Sequence, residues 1–302
     1  MGTKSTISFG VLLLLGACPV SLASAPIPIM LLDGESAGPY HAWKLTTPVL
    51  KRELEETGLF QVDVVTAPSS GNSSSALNGF KPDFGKYQAV VFNYDALDWP
   101  PGLKGSFERY MKNGGGLVIV HAADNAFPGW KEYNEMIGVG GWRSRTEAAG
   151  PYWFYKDGKL MHDSSPGPAG SHGARLPFQV TAREPEHPIM KGLPKVWMHQ
   201  GDELYATLRG PGENMTVLAT AHSDPTNNGT GRDEPILMRL SYGKGRIFHT
   251  TMGHDVSALN CVGFSVTFQR GTEWAATGKV TQKVPPDFPS ATAVSYRADT
   301  NK

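Results

Sequence analysis

The stretch 114-GGGLVIVHAADNAF-127 decides the fold. Leu117, Val118, Ile119 and Val120 form an aliphatic run with no polar residue between them. That pattern predicts a strand buried on both faces, as in a parallel sheet covered by helices. The run ends on His121, and AADNAF turns away from it into a helical pattern. Many α/β enzymes keep a nucleophilic Ser or Cys at such a turn. Here the position holds a histidine, His121.

Upstream, IPIMLL (27–32), FQVDVV (60–65) and AVVFNY (89–94) predict further strands. Between them, Thr47 followed by Pro48 predicts a helix N-cap with proline at the first helical position, the helix running through VLKRELEETG to a stop at Gly58. GLKGSFERYMKNGG predicts a second, amphipathic helix. Strands separated by helices imply parallel pairing with right-handed crossovers, hence an α/β, doubly wound, mainly parallel sheet. Downstream, residues 140–176 lack clean periodicity and are rich in Gly, Pro and aromatics, which predicts an ordered functional excursion. From Pro177 onward most segments read as strands. SYGKG predicts a hairpin turn, so an antiparallel region is added to the parallel sheet. A last helix is predicted over 258–277, and the Pro/Ser/Thr-rich residues 285–302 predict a flexible tail.

The first 25 residues have the layout of a secretory leader: one lysine, the apolar ISFGVLLLLGA, then small residues. Cleavage after SLA or ASA implies a secreted or periplasmic protein. LGAC at 15–18 offers the alternative of a lipid anchor at Cys18. The domain then spans 26–284. The chain has two cysteines, and removal or modification of Cys18 leaves Cys261 with no intrachain disulfide partner; it is read as a packed thiol. Lys plus Arg equals Asp plus Glu at 28 each, so no net field favours nucleic acid or an anionic membrane. No transmembrane segment is expected in the mature chain.

In an open parallel sheet, ligands bind at the carboxyl ends of the strands. Five segments bring acids or histidines there. DGESAGPYHAW supplies Asp33, Tyr40 and His41. NYDALDW supplies Asn93, Asp95 and Trp99. The turn after GLVIV supplies His121 and Asp124. HQGDELY supplies Asp202 and Glu203, and TMGHD supplies His254. Asp202 and Glu203 are adjacent and point opposite ways on an extended chain, and Glu203 is taken as the one facing the site. His41, His121, His254 and Glu203 are the candidate catalytic groups. Asp33, Tyr40, Asn93, Asp95, Trp99, Asp124, Trp142 and Asp202 are candidate substrate contacts, with Trp153 a further aromatic platform. Each also has a structural alternative: His249 lies inside a strand and reads as core, and His187 before Pro188 reads as a turn. His162, His172 and His222 carry no signal beyond lying in loops. HExxH, CxxC and EF-hand spacings are missing, as are GxSxG and a dinucleotide fingerprint. No organic cofactor is expected. A divalent metal held by distant histidines would escape such motifs.

HAWKLTTPVLKRELEETG, FERYMKNGGGLVIVHAADNAF, HPIMKGLP, GDELYATL and YGKGRIFHTTMGHD, in this order, resemble the ThuA family, named for trehalose utilisation. The resemblance covers residues 27–280 and implies a flavodoxin-like fold similar to class I glutamine amidotransferases. In those enzymes a cysteine stands where this chain has His121, so cysteine-based amide hydrolysis is not expected. The resemblance further implies carbohydrate catabolism, on a sugar or glycoside whose hydroxyl has been oxidised to a ketone. A positioned base can remove the proton beside a ketone, leading to isomerisation, epimerisation or elimination. The rivals are a non-catalytic carbohydrate-binding module and a metal-assisted hydrolase using His41, His121 and His254. The stretch 140–176 departs from many relatives, so the resemblance does not extend to the pocket's shape or to which sugar it takes.

Overall fold

The computed structural model describes residues 1–3, 25–35, 40–69 and 74–297. The apolar leader, Cys18 included, lies outside the described residues. The predicted alternation is present in the first half: β1 (Ile27–Asp33), α1 (Trp43–Glu55), β2 (Phe60–Thr66), β3 (Ala89–Phe92), α2 (Pro101–Lys112) and β4 (Gly116–Val120). There follow α3 (Lys131–Ile137), β5 (Tyr152–Lys156), β6 (Lys159–Asp163), β7 (Leu176–Ala182), β8 (Val196–Asp202) and β9 (Thr216–His222). The chain then runs through β10 (Asp233–Tyr242), β11 (Gly245–Thr250), α4 (Val256–Leu259) and α5 (Val262–Thr277).

All strands join one sheet, with β2-β1-β3-β4-β11 at its parallel end. That order is the doubly wound 2-1-3-4-5 arrangement, with the last strand supplied by the far end of the chain. From β11 the sheet continues antiparallel through β10, β9, β7 and β8. The β10–β11 turn at Gly243–Lys244 is the hairpin read from SYGKG.

Each face of the sheet carries its own core. On one side α1 and α5 bury Leu50, Leu54, Phe264 and Phe268 against β1, β4 and β11. On the other, α2 and α3 bury Leu103, Phe107, Tyr133 and Met136. Burying one such side chain contributes about 1.5–3 kcal/mol. In α5, Gly271 stands where a Cβ would run into the Phe248 ring, so its absence lets the helix lie close on β11.

Three expectations change. The first helix starts at Trp43, and Pro48 lies inside it rather than at its first position. Thr46 and Thr47 do not cap the helix; their hydroxyls accept from Asn93 Nδ2, both at 2.9 Å. The excursion 140–176 contains a hairpin, β5–β6, joined to β10 through Asp233 and Tyr155. In the tail, residues up to 297 are tied to the body where composition argued for looseness: Met198 N–H donates to Ser290 O and Val262 N–H to Ser295 O. Phe288 packs on Trp197. No helix among the described residues is long and apolar enough to cross a membrane.

Trp99 is corrected as a sugar contact. It is fully buried among Phe84, Phe92, Phe107, Phe127 and Trp130, out of reach of any ligand. Trp99→Ala is expected to lower the free energy of unfolding by about 3–5 kcal/mol, read from urea denaturation. A smaller loss than about 1 kcal/mol would contradict its place in the core. Glu234 of β10 offers a second check. Burial pushes its carboxyl up to about 7, against the Thr230 hydroxyl and Arg232. An acid raised on folding contributes stability that is full below its unfolded value and is lost as pH rises through the folded one. Between pH 5 and pH 8 the protein is therefore expected to lose about 2 kcal/mol through this group. Glu234→Gln should flatten that part of the stability profile.

Candidate functional site

Four side chains from four segments meet at the carboxyl edge of the parallel strands. His41 precedes α1, His121 follows β4, Glu203 follows β8 and His254 follows β11. One ligand atom from each lies within 4.8 Å of the other three. Glu203 is the hub: its Oε2 stands 3.1 Å from His254 Nδ1, 3.7 Å from His121 Nε2 and 4.0 Å from His41 Nε2. The three rings pack edge to face, with centroids 5.0–5.4 Å apart. His41, His254 and Glu203 are each little exposed, and His121 is buried.

Local structure fixes each group. His121 sits at the strand-to-helix turn with φ +47°, a conformation unusual for a residue with a side chain. Its Nδ1–H donates to Thr251 O at 2.7 Å, which leaves the Nε2 lone pair facing the hub. Tyr205 lies against the imidazole at 4.2 Å between centroids, and its hydroxyl meets His41 Nε2 at 3.3 Å. His254 is held through its backbone. Gly253, at φ +113°, a position that favours glycine, turns its N–H onto Asp202 Oδ2 at 2.7 Å. The N–H of His254 follows onto Asp202 Oδ1 at 3.1 Å.

Electrostatics separate the roles. Burial and the neighbouring histidines pull His41 down to about 3, so it is neutral at physiological pH. Burial opposes the charge on His121 too, yet Glu203, Asp202 and the Thr251 carbonyl together hold its pKa above the usual value. Burial also works against the Glu203 charge, but the adjacent His121 and His254 imidazoles outweigh it and hold its pKa below the usual carboxylate range.

The remaining candidates divide. Trp142 stands at the rim, half-buried, 4.5 Å from Tyr205 and 6.0 Å from His172 between centroids. It belongs to a run of three left-handed residues, Trp142, Arg143 and Ser144. Asp202 is corrected as a substrate contact: it is buried behind the site, bonded to His199 Nε2 at 2.9 Å and to the backbone of Glu203, Gly253 and His254. Its opposite orientation to Glu203 is as expected. Asp95 is likewise engaged, bonded by Arg143 at 2.7 Å, and burial pushes its carboxyl up to about 6. Asn93 is spent on Thr46 and Thr47. Asp33 is buried at the end of β1 beside the hydroxyls of Thr47 and Thr66. Asp124 is buried beneath the site, 3.5 Å from His249 Nε2. His249 itself is core and meets Ile137 O through Nδ1. Tyr40 is exposed. Trp153 packs on His162 and donates to Gly210 O.

Two groups escaped the sequence reading. His172 Nε2 stands 3.7 Å from Glu203 Oε1, at the mouth of the site, with Nδ1 2.8 Å from Gly173 O. Its stretch has no strand end or motif to mark it. Tyr205 carried a signal, since a residue two after Glu203 on an extended chain shares its side.

Asp202→Asn places an amide where several N–H donors converge. It is expected to cost about 2–4 kcal/mol of stability and to shift the ring signals of His199 and His254 in imidazole NMR. The exposed Asp63→Asn should change stability by no more than about 0.5 kcal/mol and leave those ring signals in place.

The sequence matches the family model described as "ThuA: Trehalose utilisation" over residues 30–275. A solved ThuA-like protein from Parabacteroides merdae is 48 % identical, with a TM-score of 0.86 over 90 % of this chain and 98 % of that one. A ThuA-like protein from Bacteroides uniformis is 19 % identical, with a TM-score of 0.54 over 88 % of this chain and 97 % of that one, and shares the fold. Among curated proteins, none matches. The chain belongs to the ThuA family.

Proposed function

We propose that this protein is an exported enzyme of carbohydrate breakdown that performs acid/base chemistry on a sugar or glycoside oxidised to a ketone. The family supports carbohydrate metabolism. The observation that carries the chemistry is the convergence of His41, His121, His254 and Glu203 on one point at the ligand-binding edge of the sheet. Export rests on the leader's composition alone.

The reaction needs a base for the proton beside the ketone and stabilisation for the charge that develops on the ketone oxygen. His172 suits the first role. It is the more exposed of the histidines around Glu203, and its Nδ1 is engaged by Gly173 O, which leaves Nε2 to accept a proton on the side of the hub. His121, whose protonated form Glu203 and Asp202 favour, suits the second as a donor, and the Trp142 face at the rim suits a sugar ring. Removal of the proton breaks the C–H bond and moves its electron pair into an enolate. Return of a proton to the other face epimerises the carbon, and expulsion of a β-oxygen completes an elimination.

Proton NMR of a 3-keto-disaccharide in D2O with the mature protein tests this. Deuterium beside the ketone, or release of a sugar, is the expected result. His172→Ala and Glu203→Gln should each slow it by about 10²–10⁴-fold. A spectrum unchanged over hours across several keto-sugars, with binding still detectable, would replace the enzyme with a binding module.

A further inference from the structure

We infer that His41, His121, His254 and Glu203 together bind one divalent first-row transition-metal ion, and that this ion receives the ketone oxygen of the substrate. The second half rests on the function proposed above; the first stands on geometry alone.

Two buried nitrogens point into the cluster with no hydrogen-bond partner: His121 Nε2 and His254 Nδ1. The second is 3.1 Å from Glu203 Oε2 but not aligned for a hydrogen bond. An orphaned buried imidazole nitrogen is costly unless something takes its lone pair. A proton shared with Glu203 can satisfy one such nitrogen at a time, whereas a cation serves them all. The distances fit. Nitrogen and oxygen ligands bind such ions at about 2.0–2.2 Å, so neighbouring donors in a tetrahedral shell lie about 3.3 Å apart. The separations of 3.1, 3.7 and 4.0 Å about Glu203 Oε2 bracket that edge.

The surroundings have the features of a metal site. His121 gives its other N–H to the Thr251 carbonyl, the bond that fixes a ligating imidazole's tautomer and direction. The segments carrying Glu203 and His254 are both anchored by Asp202, through the Glu203 N–H at 2.8 Å and the His254 N–H at 3.1 Å. Three imidazoles and a carboxylate suit zinc, manganese, iron, cobalt or nickel rather than calcium or magnesium, which take oxygen ligands. Four protein donors leave a five- or six-coordinate ion room for substrate oxygen. His172 lies beyond, on the other oxygen of Glu203, in place to exchange the proton. With the ketone oxygen on the cation, negative charge from the broken C–H bond is held where it forms.

The test loads chelator-stripped protein with Zn²⁺, Mn²⁺, Fe²⁺, Co²⁺ or Ni²⁺ in turn, desalts it and measures metal by mass spectrometry. About one equivalent per chain is expected for at least one ion, falling below about a tenth in His121→Ala and Glu203→Ala. Two readouts on the unaltered protein guard against misfolded variants. Cobalt loading should give visible d–d absorption, and the best ion should raise Tm in a concentration-dependent way. Background metal with every ion, or equal binding by the well-folded variants, would overturn the site. The D2O exchange assay on stripped and loaded protein separates the two proposals. Exchange only when loaded supports both. Equal exchange in both forms removes the ion's catalytic part and keeps the function. Stoichiometric binding without exchange keeps the metal site and removes the function.

Discussion

The site depends on one buried carboxylate that takes no part in its chemistry. Asp202 accepts from the N–H of Glu203, Gly253 and His254 and bonds to His199 Nε2, all between 2.7 and 3.1 Å. β8 lies at the far edge of the antiparallel extension and β11 beside β4 in the parallel part, so sheet pairing does not bring their ends together. The carboxylate bridges the gap. Burial raises the energy of its charge, but His199 and the amides compensate, and its pKa falls below the usual value. His199 responds in the opposite sense: burial disfavours its charge, yet Asp202 and the neighbouring Cys261 push it up to about 9. The pair is thus charged on both sides near neutrality, and a buried ion pair of this kind is valuable mainly for the geometry it specifies.

The loop at the mouth is held with similar economy. Arg145 is buried, and its guanidinium bonds the carbonyls of Asn125, Ala126 and Gly141 and the side chain of Asn134. Arg143 reaches across to Asp95. Just before Arg145, Trp142 to Ser144 run through left-handed backbone, which costs on the order of 1 kcal/mol or more per residue. Such strain persists only where its surroundings over-determine it, and it sets Trp142 against Tyr205 at the edge of the site.

How much of this was legible in the sequence varied with the range of the interaction. Aliphatic runs and their spacing are local signals, and they disclosed the parallel core, the antiparallel addition and the last helix. Strand-end position was enough to select His41, His121, Glu203 and His254, because topology carries all such ends to one edge. Signals failed where a distant partner decides. Trp99 sits two residues before the start of α2 and looks like a loop aromatic, yet five rings from other segments enclose it. Thr47 and Pro48 look like a cap and a first turn, but Asn93 claims the hydroxyl and the helix begins at Trp43. His172 is brought in by the pairing of Ser171 with Ala206, a contact that spacing cannot express.

The histidine at the turn after β4 follows from the same physics. A strained turn aims one atom of its residue at the ligand. For a thiol or hydroxyl that atom is a nucleophile needing an adjacent base. For His121, with Nδ1–H fixed on Thr251 O, it is a nitrogen lone pair with a set direction, and a lone pair so placed accepts a proton or a metal ion. The one described cysteine, Cys261, is buried at the start of α5 beside His199, on the far side of Asp202 from the hub. Among the described residues, no thiol is one of the groups that converge on the hub. What the turn presents here is a directed imidazole nitrogen in place of a thiol or hydroxyl.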